Sequence, residues 1–244
     1  KIEDIKDALL LCNRILVHSP SDLNRLKNIG LVENVSLFPH GILDSERYSL
    51  KKSYRKENKD ELHFSSYGFC LPNKGFPQLI QAIALLHKQH FKCKLFLYTS
   101  LYDSDTSLQF YYQLLELINE LNLNTLVDIN PNFLSDELTL NKLSKTDLVI
   151  FPYQSTNESV SGAVRQGLAS LTKVAVTPLP IFDDVSDVVY KLPGSTPALI
   201  AAGLIEWSKN QYGKTMTDQE KKWLKEHSFE KLANRLSRLI KSIE

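Results

Sequence analysis

The chain has 244 residues, of which 43% are hydrophobic and 23% charged, and its formal net charge is +1. This length suits one large α/β domain with part of a second, and the near-zero charge excludes a global field that would recruit nucleic acid. Cys12, Cys70 and Cys93 are too far apart to form a zinc or disulfide pattern, which favours a reducing cytoplasm, and no apolar run approaches the roughly 20 residues of a membrane span.

The chain opens with a short alternation of helix and strand patterns. Helices are predicted over residues 2–11 and 21–29, and strands over residues 14–18 and 34–38. The polar stretch 45–60 predicts a loop, and its basic run 51–59 is typical of a solvated surface segment.

From residue 61 onward, strand and helix patterns alternate regularly. Strands are predicted over residues 62–67, 94–99, 126–129, 148–151, 174–177 and 188–191. Helices are predicted over residues 76–90, 108–121, 136–144, 161–170 and 197–208, with one or two amphipathic helices over 218–243. Such alternation predicts the α/β class, with a doubly wound parallel sheet that carries helices on both faces, followed by C-terminal helices.

The most informative segment is DLVIFPYQSTNESVSGAVRQGLASLTKVAVT, residues 147–177. Its apolar run 148–151 predicts a buried parallel strand, and the small-residue stretch SGAVRQGLASL predicts a helix after a polar loop. Ligands of open α/β sheets lie at the carboxyl ends of strands, facing helix N-termini. The amides of Ser161, Gly162 and Ala163 would therefore suit a phosphate, and Glu158 in the loop would suit sugar hydroxyls.

A second candidate segment, YGFCLPNKG, follows the first strand of the long alternation. Gly68 allows close approach of the backbone, and Lys74, followed by Gly75, places a cation at the carboxyl end of that strand. A glycine turn with a lysine in this position suits a diphosphate.

The segment 147–177 resembles the donor-binding motif of retaining GT-B glycosyltransferases of the family 4 type. That motif has two glutamates with seven residues between them, then a small-residue helix and a strand. Glu158 matches the first glutamate, which in the family faces the donor sugar. Gln166 stands where the family has the second glutamate, which holds the ribose; glutamine can still hydrogen-bond ribose hydroxyls.

Two further segments carry the resemblance. YGFCLPNKG resembles the family's glycine-rich turn that ends in lysine-glycine, although Phe69 stands where many members carry arginine. The opening RILVHSPSDLNRLKNIGLVENVSLFPHGI resembles the last strand, helix and linker of the family's N-terminal acceptor domain. The resemblance therefore covers nearly the whole chain.

The resemblance implies a Rossmann-like donor domain over residues 45–217, preceded by the tail of an acceptor domain and linker over 1–44. Residues 218–244 are then C-terminal helices that pack back on the domains. The implied activity is that of a hexosyltransferase, which moves a sugar with retention from a nucleotide diphosphate-sugar to an acceptor hydroxyl. The implied setting is cytoplasmic synthesis of a bacterial surface glycan on a glycan or lipid-linked acceptor.

The resemblance also assigns roles to side chains. Lys74 and Glu158 are the expected catalytic residues: Lys74 stabilises the departing diphosphate and Glu158 positions the sugar. The expected donor-binding residues are Gly68, Lys74, Gly75, Glu158, Ser161, Gly162, Ala163 and Gln166. The nucleotide diphosphate-sugar is a substrate, and neither a cofactor nor a metal is implied.

Each candidate side chain also has a plainer interpretation. Lys74 could be a solvated lysine, Glu158 a carboxylate that complements a helix N-terminus, and Gln166 a surface or packing residue. Arg165 is expected at the surface, although a phosphate contact is the alternative. Asp183 and Asp184 are expected to cap a short helix rather than bind a metal. His18 and His40 are expected to have a structural or hinge-facing role.

Other functions stay open at this stage. Phe69 and Gln166 favour a non-catalytic nucleotide-sugar or partner-binding domain as the alternative to an enzyme. A sugar-nucleotide epimerase would share the architecture, but its acidic and histidine groups cannot be placed here. The basic, amphipathic C-terminal helix leaves peripheral association with the inner face of the membrane as an alternative to packing on the domains.

The chain begins at Lys1, and its only methionine is Met216. This predicts further sequence upstream, where the resemblance implies the rest of the acceptor half. Residues 1–244 alone are therefore expected to bind a nucleoside diphosphate weakly, without turnover.

Overall fold

Two parallel sheets organise the chain in the computed structural model, which describes residues 2–48, 50, 61–102 and 105–243. The strands are β1 Ile15–Val17, β2 Val35–Leu37, β3 Leu62–Phe69, β4 Cys93–Ser100, β5 Val127–Asn130, β6 Leu148–Phe151, β7 Lys173–Val176 and β8 Tyr190–Lys191. The α-helices are α1 Lys6–Leu10, α2 Pro20–Asn28, α3 Phe76–Lys88, α4 Asp105–Glu120, α5 Asp136–Leu143, α6 Gly162–Ala169, α7 Pro197–Asn210, α8 Asp218–Glu226 and α9 Phe229–Lys241. The predicted basic loop 51–59 lies outside the described residues.

The larger sheet has six parallel strands in the order β5-β4-β3-β6-β7-β8. Strands β4 and β5 extend it to one side of β3, whereas β6, β7 and β8 extend it to the other. The chain order therefore reverses between β3 and β6. Loops that leave the carboxyl ends of strands at such a switch point diverge and open a crevice for ligands.

Helices cover both faces of this sheet, which confirms the predicted α/β class. One hydrophobic cluster packs α3, α4 and α7 on one face, and a second packs α5 and α6 on the other. Within β6, Leu148 and Ile150 belong to the first cluster, whereas Val149 and Phe151 belong to the second. Because successive side chains of a strand point to opposite faces, both faces of β6 are buried, and its sequence is uniformly apolar.

The smaller sheet pairs β1 with β2 in parallel, with Ile15 opposite Val35. Helix α2 begins at Pro20 after Ser19, whose hydroxyl accepts a hydrogen bond from the Asp22 amide at 3.1 Å. This cap satisfies one amide that the helix cannot pair internally. The small apolar cluster beneath α2 is separate from the two clusters of the larger sheet.

Some predicted elements are longer than the observed ones. The strand predicted over 188–191 is only Tyr190–Lys191, because a 3-10 helix at Pro180–Val188 occupies the preceding residues. Residues 45–48 of the predicted loop form another short 3-10 helix. The amphipathic C-terminal stretch forms two helices, separated where Thr217 caps α8 and Ser228 caps α9.

The C-terminal helices contact both parts of the molecule. The Phe229 amide donates to the Ile42 carbonyl at 3.0 Å, and the Arg235 guanidinium lies 5.4 Å from the centroid of the Phe38 ring. Trp223 and Leu224 of α8 pack against the second cluster of the larger sheet. Throughout the described ranges, no helix combines the length and apolar character needed to span a membrane.

Candidate functional site

A cleft of about 590 Å³ opens at the carboxyl ends of β3 and β6, where the strand order reverses. Its walls include seven of the predicted donor-binding residues: Gly68, Lys74, Glu158, Ser161, Gly162, Ala163 and Gln166. Lys74 and Glu158, which follow β3 and β6, thus line the same cleft, whereas their chemical roles stay predictions.

Lys74 is buried in the wall of the cleft, where it contacts Glu158 and Tyr153. It ends the 3-10 turn Pro72–Lys74 and is only 7% exposed, so it is not a solvated surface lysine. Its Nζ lies 3.3 Å from Glu158 Oε2 and 4.2 Å from the centroid of the Tyr153 ring. Tyr153 gives the ammonium an aromatic face, and the Glu158 carboxylate is its ion-pair partner.

The loop after β3 closes tightly against the loop after β6. Gly75 has a φ of +75°, and a Cβ placed there would lie 1.8 Å from the Pro152 carbonyl oxygen. The Gln154 amide donates to the Asn73 carbonyl at 3.1 Å, which joins the two loops. Gly75 therefore shapes the turn behind the cleft and lets Lys74 reach the residues that follow β6.

Helix α6 points its N-terminus into the cleft. Ser161 is its N-cap and accepts a hydrogen bond from the Val164 amide at 3.3 Å. Gly162 and Ala163, the first two residues of the helix, line the cleft. Nothing lies within 4 Å of a Cβ built on Gly162, so the approach to the amides of these residues is open. Unpaired amides and the helix dipole together favour an anion at this position.

The end of β3 approaches the same helix closely, since a Cβ on Gly68 would lie 3.9 Å from Ala163 Cβ. The hydroxyl of Ser159, two residues before the N-cap of α6, hydrogen-bonds the Asp22 carboxylate of α2. The loop that carries Glu158 is thus tied to the N-terminal part of the chain.

The expectation that Arg165 lies at the surface was wrong. This side chain is buried beneath the cleft, where its guanidinium pairs with the Asp184 carboxylate. Its Nη1 donates to the Ser161 carbonyl at 2.8 Å, and its Nε donates to the His40 carbonyl at 3.3 Å. Burial lowers the pKa of Arg165, and the charge and hydrogen bond of Asp184 oppose that shift. Asp184 therefore pairs with an arginine instead of capping a short helix, and Arg165 links α6 to the segment between β2 and β3.

Breaking this buried pair should destabilise the protein. We expect Arg165→Met to lower the free energy of unfolding by about 3 kcal/mol, because it leaves the Asp184 carboxylate buried without its partner. Urea denaturation of Arg165→Met, Asp184→Leu and the double variant measures the coupling. The double variant should lose less stability than the sum of the single losses; strictly additive losses would show that the two side chains act independently.

His40 also lines the cleft, although its expected role was structural or hinge-facing. Its ring lies 5.5 Å from the His18 ring and 6.1 Å from the Phe229 ring. Burial lowers the pKa of His40, although its hydrogen bond with the Gly41 carbonyl opposes this. The carbonyl of His40 accepts the hydrogen bond from Arg165 Nε, so the His40 backbone anchors Arg165.

Sequence reasoning missed Tyr153, Phe133 and Asp136, which also line the cleft. Asp136 is the first residue of α5 and accepts a hydrogen bond from Gln166 Nε2 at 3.0 Å. Each of these residues follows the end of a strand and belonged to a predicted loop or helix start, but no local pattern distinguished it from its neighbours. Over the described residues, no group of three or more histidine, cysteine or acidic side chains could hold a metal ion.

Comparison with solved structures identifies this architecture. Sucrose-phosphate synthase from Thermosynechococcus elongatus matches with a TM-score of 0.76 and 16% identity, over 98% of this chain and 60% of that one. A UDP-forming trehalose-phosphate synthase from Burkholderia xenovorans, in complex with glucose-6-phosphate, has a TM-score of 0.79 and 10% identity, over 98% and 62%. HepE from Anabaena, in complex with UDP and glucose, has a TM-score of 0.74 and 13% identity, over 95% and 63%.

The chain has the GT-B glycosyltransferase fold. At 10% to 16% identity, the likeness establishes the fold alone. The chain spans about 60% of the length of these structures. No protein-family model and no curated protein matches it.

Proposed function

We propose that the cleft binds a nucleotide diphosphate-sugar and that the chain is the donor-binding part of a retaining GT-B glycosyltransferase. The observation that carries this proposal is the convergence of Lys74 and the N-terminus of α6 on one cleft at the switch point of the sheet. A cation and open helix amides together provide the donors that a diphosphate requires.

Chemically, these groups suit the leaving group of a sugar transfer. Negative charge on the diphosphate grows as the bond to the sugar breaks, and fixed donors aimed at that charge lower the barrier. Lys74 is held rigidly by burial and by Tyr153, so little reorganisation accompanies the reaction. An acceptor hydroxyl, supplied by a glycan or lipid-linked substrate, would attack the sugar carbon with retention of configuration.

Glu158 is the side chain best placed to hold the donor sugar. It is half exposed in the cleft, whereas Lys74 is buried behind it. A lysine ammonium has three donors, so Lys74 can keep its contact with Glu158 and still donate to a phosphate. The Glu158 carboxylate then accepts hydrogen bonds from hydroxyls of the sugar, close to the phosphate that carries this sugar.

A specific observation favours a non-catalytic binding domain as the second candidate. Phe69 stands where the resemblance implies a phosphate-binding arginine, and its ring makes an edge contact with Tyr102 at 5.4 Å between centroids. This apolar rim supplies no charge to a departing phosphate. The cleft would then retain ligand binding without turnover.

Glu158→Ala separates sugar recognition from diphosphate binding. We expect this variant to bind free ADP, GDP, UDP or CDP at least as tightly as the unmodified chain, because it removes a negative charge beside Lys74. Binding of the intact nucleotide diphosphate-sugar should weaken by roughly tenfold, the effect of losing hydrogen bonds to a charged group. Isothermal titration calorimetry with both ligand types measures the difference.

The neighbouring Asn157→Ala is the matched control, because Asn157 is exposed in the same loop and outside the cleft lining. If Glu158→Ala leaves binding of the nucleotide-sugar unchanged, Glu158 does not contact the sugar. If the unmodified chain binds neither ligand type, the proposed function itself is wrong.

A further inference from the structure

A carboxylate on α2 holds the loop that carries Glu158. Asp22 Oδ2 accepts hydrogen bonds from the Ser159 hydroxyl and, at 2.8 Å, from the Ser19 hydroxyl. Ser159 directly follows Glu158 in the chain. Because α2 packs on the small sheet, the loop after β6 of the larger sheet is fixed by a residue of the other part of the molecule.

Capping of α2 accounts for only part of this arrangement. Asp22 is the third residue of α2, and an acidic residue at this position commonly supports a helix N-terminus. Ser19 and Asp22 form such a pair, since the Asp22 amide also donates to the Ser19 hydroxyl at 3.1 Å. Ser159 lies 137 residues further along the chain and is no part of this cap. Its contact with Asp22 therefore acts on the loop after β6.

The loop between β6 and α6 needs attachment to the rest of the fold, because it forms neither helix nor strand. The Glu158 amide donates to the Thr156 hydroxyl at 3.0 Å, which turns the chain only locally. Before Glu158, the Gln154 amide is bonded to the Asn73 carbonyl. After Glu158, Ser159 supplies the attachment through a charged acceptor, which makes its hydrogen bond roughly twice as strong as one between neutral groups.

Fixing this loop matters for a ligand that Glu158 binds. A side chain that is held in place before its ligand arrives loses less conformational freedom on binding, and affinity rises accordingly. Asp22 and Ser159 both lie outside the cleft lining, so their effect on a ligand passes through Glu158. The hydrogen bond from Arg165 Nε to the His40 carbonyl joins the same two parts of the molecule independently. Loss of the Ser159 contact therefore leaves the two parts joined.

We infer that Asp22 and Ser159 are positioning residues for the donor sugar, because their hydrogen bond holds Glu158 where its carboxylate meets the sugar hydroxyls. This inference rests on the proposed function and extends it. Recognition of the sugar depends on α2, whereas the diphosphate site formed by Lys74 and the N-terminus of α6 does not. A shift of α2 relative to the larger sheet would release Glu158 and weaken the hold on the sugar while the diphosphate stays bound.

Ser159→Ala tests this inference, because it removes the hydroxyl and leaves the cap of α2 intact. The ligands are glucose, galactose, mannose and N-acetylglucosamine conjugates of ADP, GDP, UDP and CDP, each titrated calorimetrically beside the free nucleoside diphosphate. Ser159→Ala should weaken binding of the preferred nucleotide-sugar by roughly threefold to tenfold, at most the whole contribution of hydrogen bonds to a charged group. Its affinity for the free nucleoside diphosphate should be unchanged.

Two variants separate positioning from a general disturbance of the loop. Ser155→Ala is the matched control, because it removes the same hydroxyl from an exposed position of the same loop outside the cleft lining. It should bind both ligand types like the unmodified chain. Ser159→Thr keeps a hydroxyl at position 159 and should restore the preference for the nucleotide-sugar. A loss as large in Ser155→Ala as in Ser159→Ala would contradict a specific role for Ser159.

A double-mutant cycle tests whether Ser159 acts through Asp22. Asp22→Asn removes the charge at nearly constant size, so it should weaken binding of the nucleotide-sugar but not of the free diphosphate. In the Ser159→Ala background, Asp22→Asn should cause no further loss of preference for the nucleotide-sugar. Strictly additive losses would show that the two side chains act separately and would overturn the inference.

The outcomes also separate this inference from the proposed function. If Ser159→Ala keeps the full preference for the nucleotide-sugar, the inference is overturned and binding of the diphosphate stands. If the unmodified chain binds neither a nucleoside diphosphate nor a nucleotide-sugar, the proposed function fails and the inference fails with it.

Discussion

Lys74→Ala should lower the rate of sugar transfer by roughly a hundredfold or more, the range measured for removal of a fixed electrostatic donor. The reason is that Lys74 is a buried cation in the wall of the cleft that also contains the N-terminus of α6, where charge on the departing diphosphate grows. Free nucleoside diphosphate should also bind more weakly. Turnover of a nucleotide diphosphate-sugar by the complete protein and calorimetry on this chain measure the two effects.

Lys173→Ala is the matched control for the loss of a largely buried, ion-paired lysine. Lys173 Nζ pairs with Glu220 at 2.6 Å at the start of β7, away from the cleft lining. Its removal should lower stability and leave ligand affinity unchanged. Transfer by Lys74→Ala within a factor of about three of the unmodified rate would remove Lys74 from the mechanism.

Gly75→Ala should lower the free energy of unfolding by at least about 4 kcal/mol, more than any other substitution that we propose. Losses of this size are exceptional and indicate a specific local cause such as a severe clash. A methyl group at this position would overlap the Pro152 carbonyl oxygen, which is part of the rigid backbone after β6. The two loops must separate to admit it, so Lys74 also moves away from Glu158. Urea denaturation measures the stability, and calorimetry measures the accompanying loss of nucleoside diphosphate binding.

Gly213→Ala isolates the cost of the backbone conformation. Gly213 has a φ of +76°, nearly that of Gly75, but nothing lies within 4 Å of a Cβ built on it. Its substitution should cost only roughly 1 kcal/mol, the penalty for a left-handed residue with a side chain. Equal losses for Gly75→Ala and Gly213→Ala would mean that the two loops do not press on each other at Gly75.

The sheet could be predicted from sequence because its signals are local. The sequences of β6 and α6 each indicate a buried element within a few residues, because β6 is uniformly apolar and α6 is rich in small residues. The order of these elements along the chain then dictates a parallel crossover. The two-residue strand Tyr190–Lys191 is different. Its length depends on where the preceding 3-10 helix ends, at Val188.

The cleft could be predicted only in part, for a physical reason. Lys74 and Glu158 follow recognisable strand ends, so their meeting at one edge of the sheet follows from topology. Arg165 and Asp184 are partners across the fold, and either one alone has the sequence signature of a surface residue. The contact between Asp136 and Gln166 likewise depends on how α5 packs beside α6, which no spacing within a single helix reveals.

A crystal structure of this chain with a bound nucleoside diphosphate tests the central claim most directly. The nucleotide would be whichever of ADP, GDP, UDP and CDP binds most tightly in the calorimetric titrations. We expect oxygens of its diphosphate within hydrogen-bond distance of Lys74 Nζ and of the amides of Gly162 and Ala163. A diphosphate bound elsewhere, with Lys74 still paired only to Glu158, would contradict the assignment of the cleft.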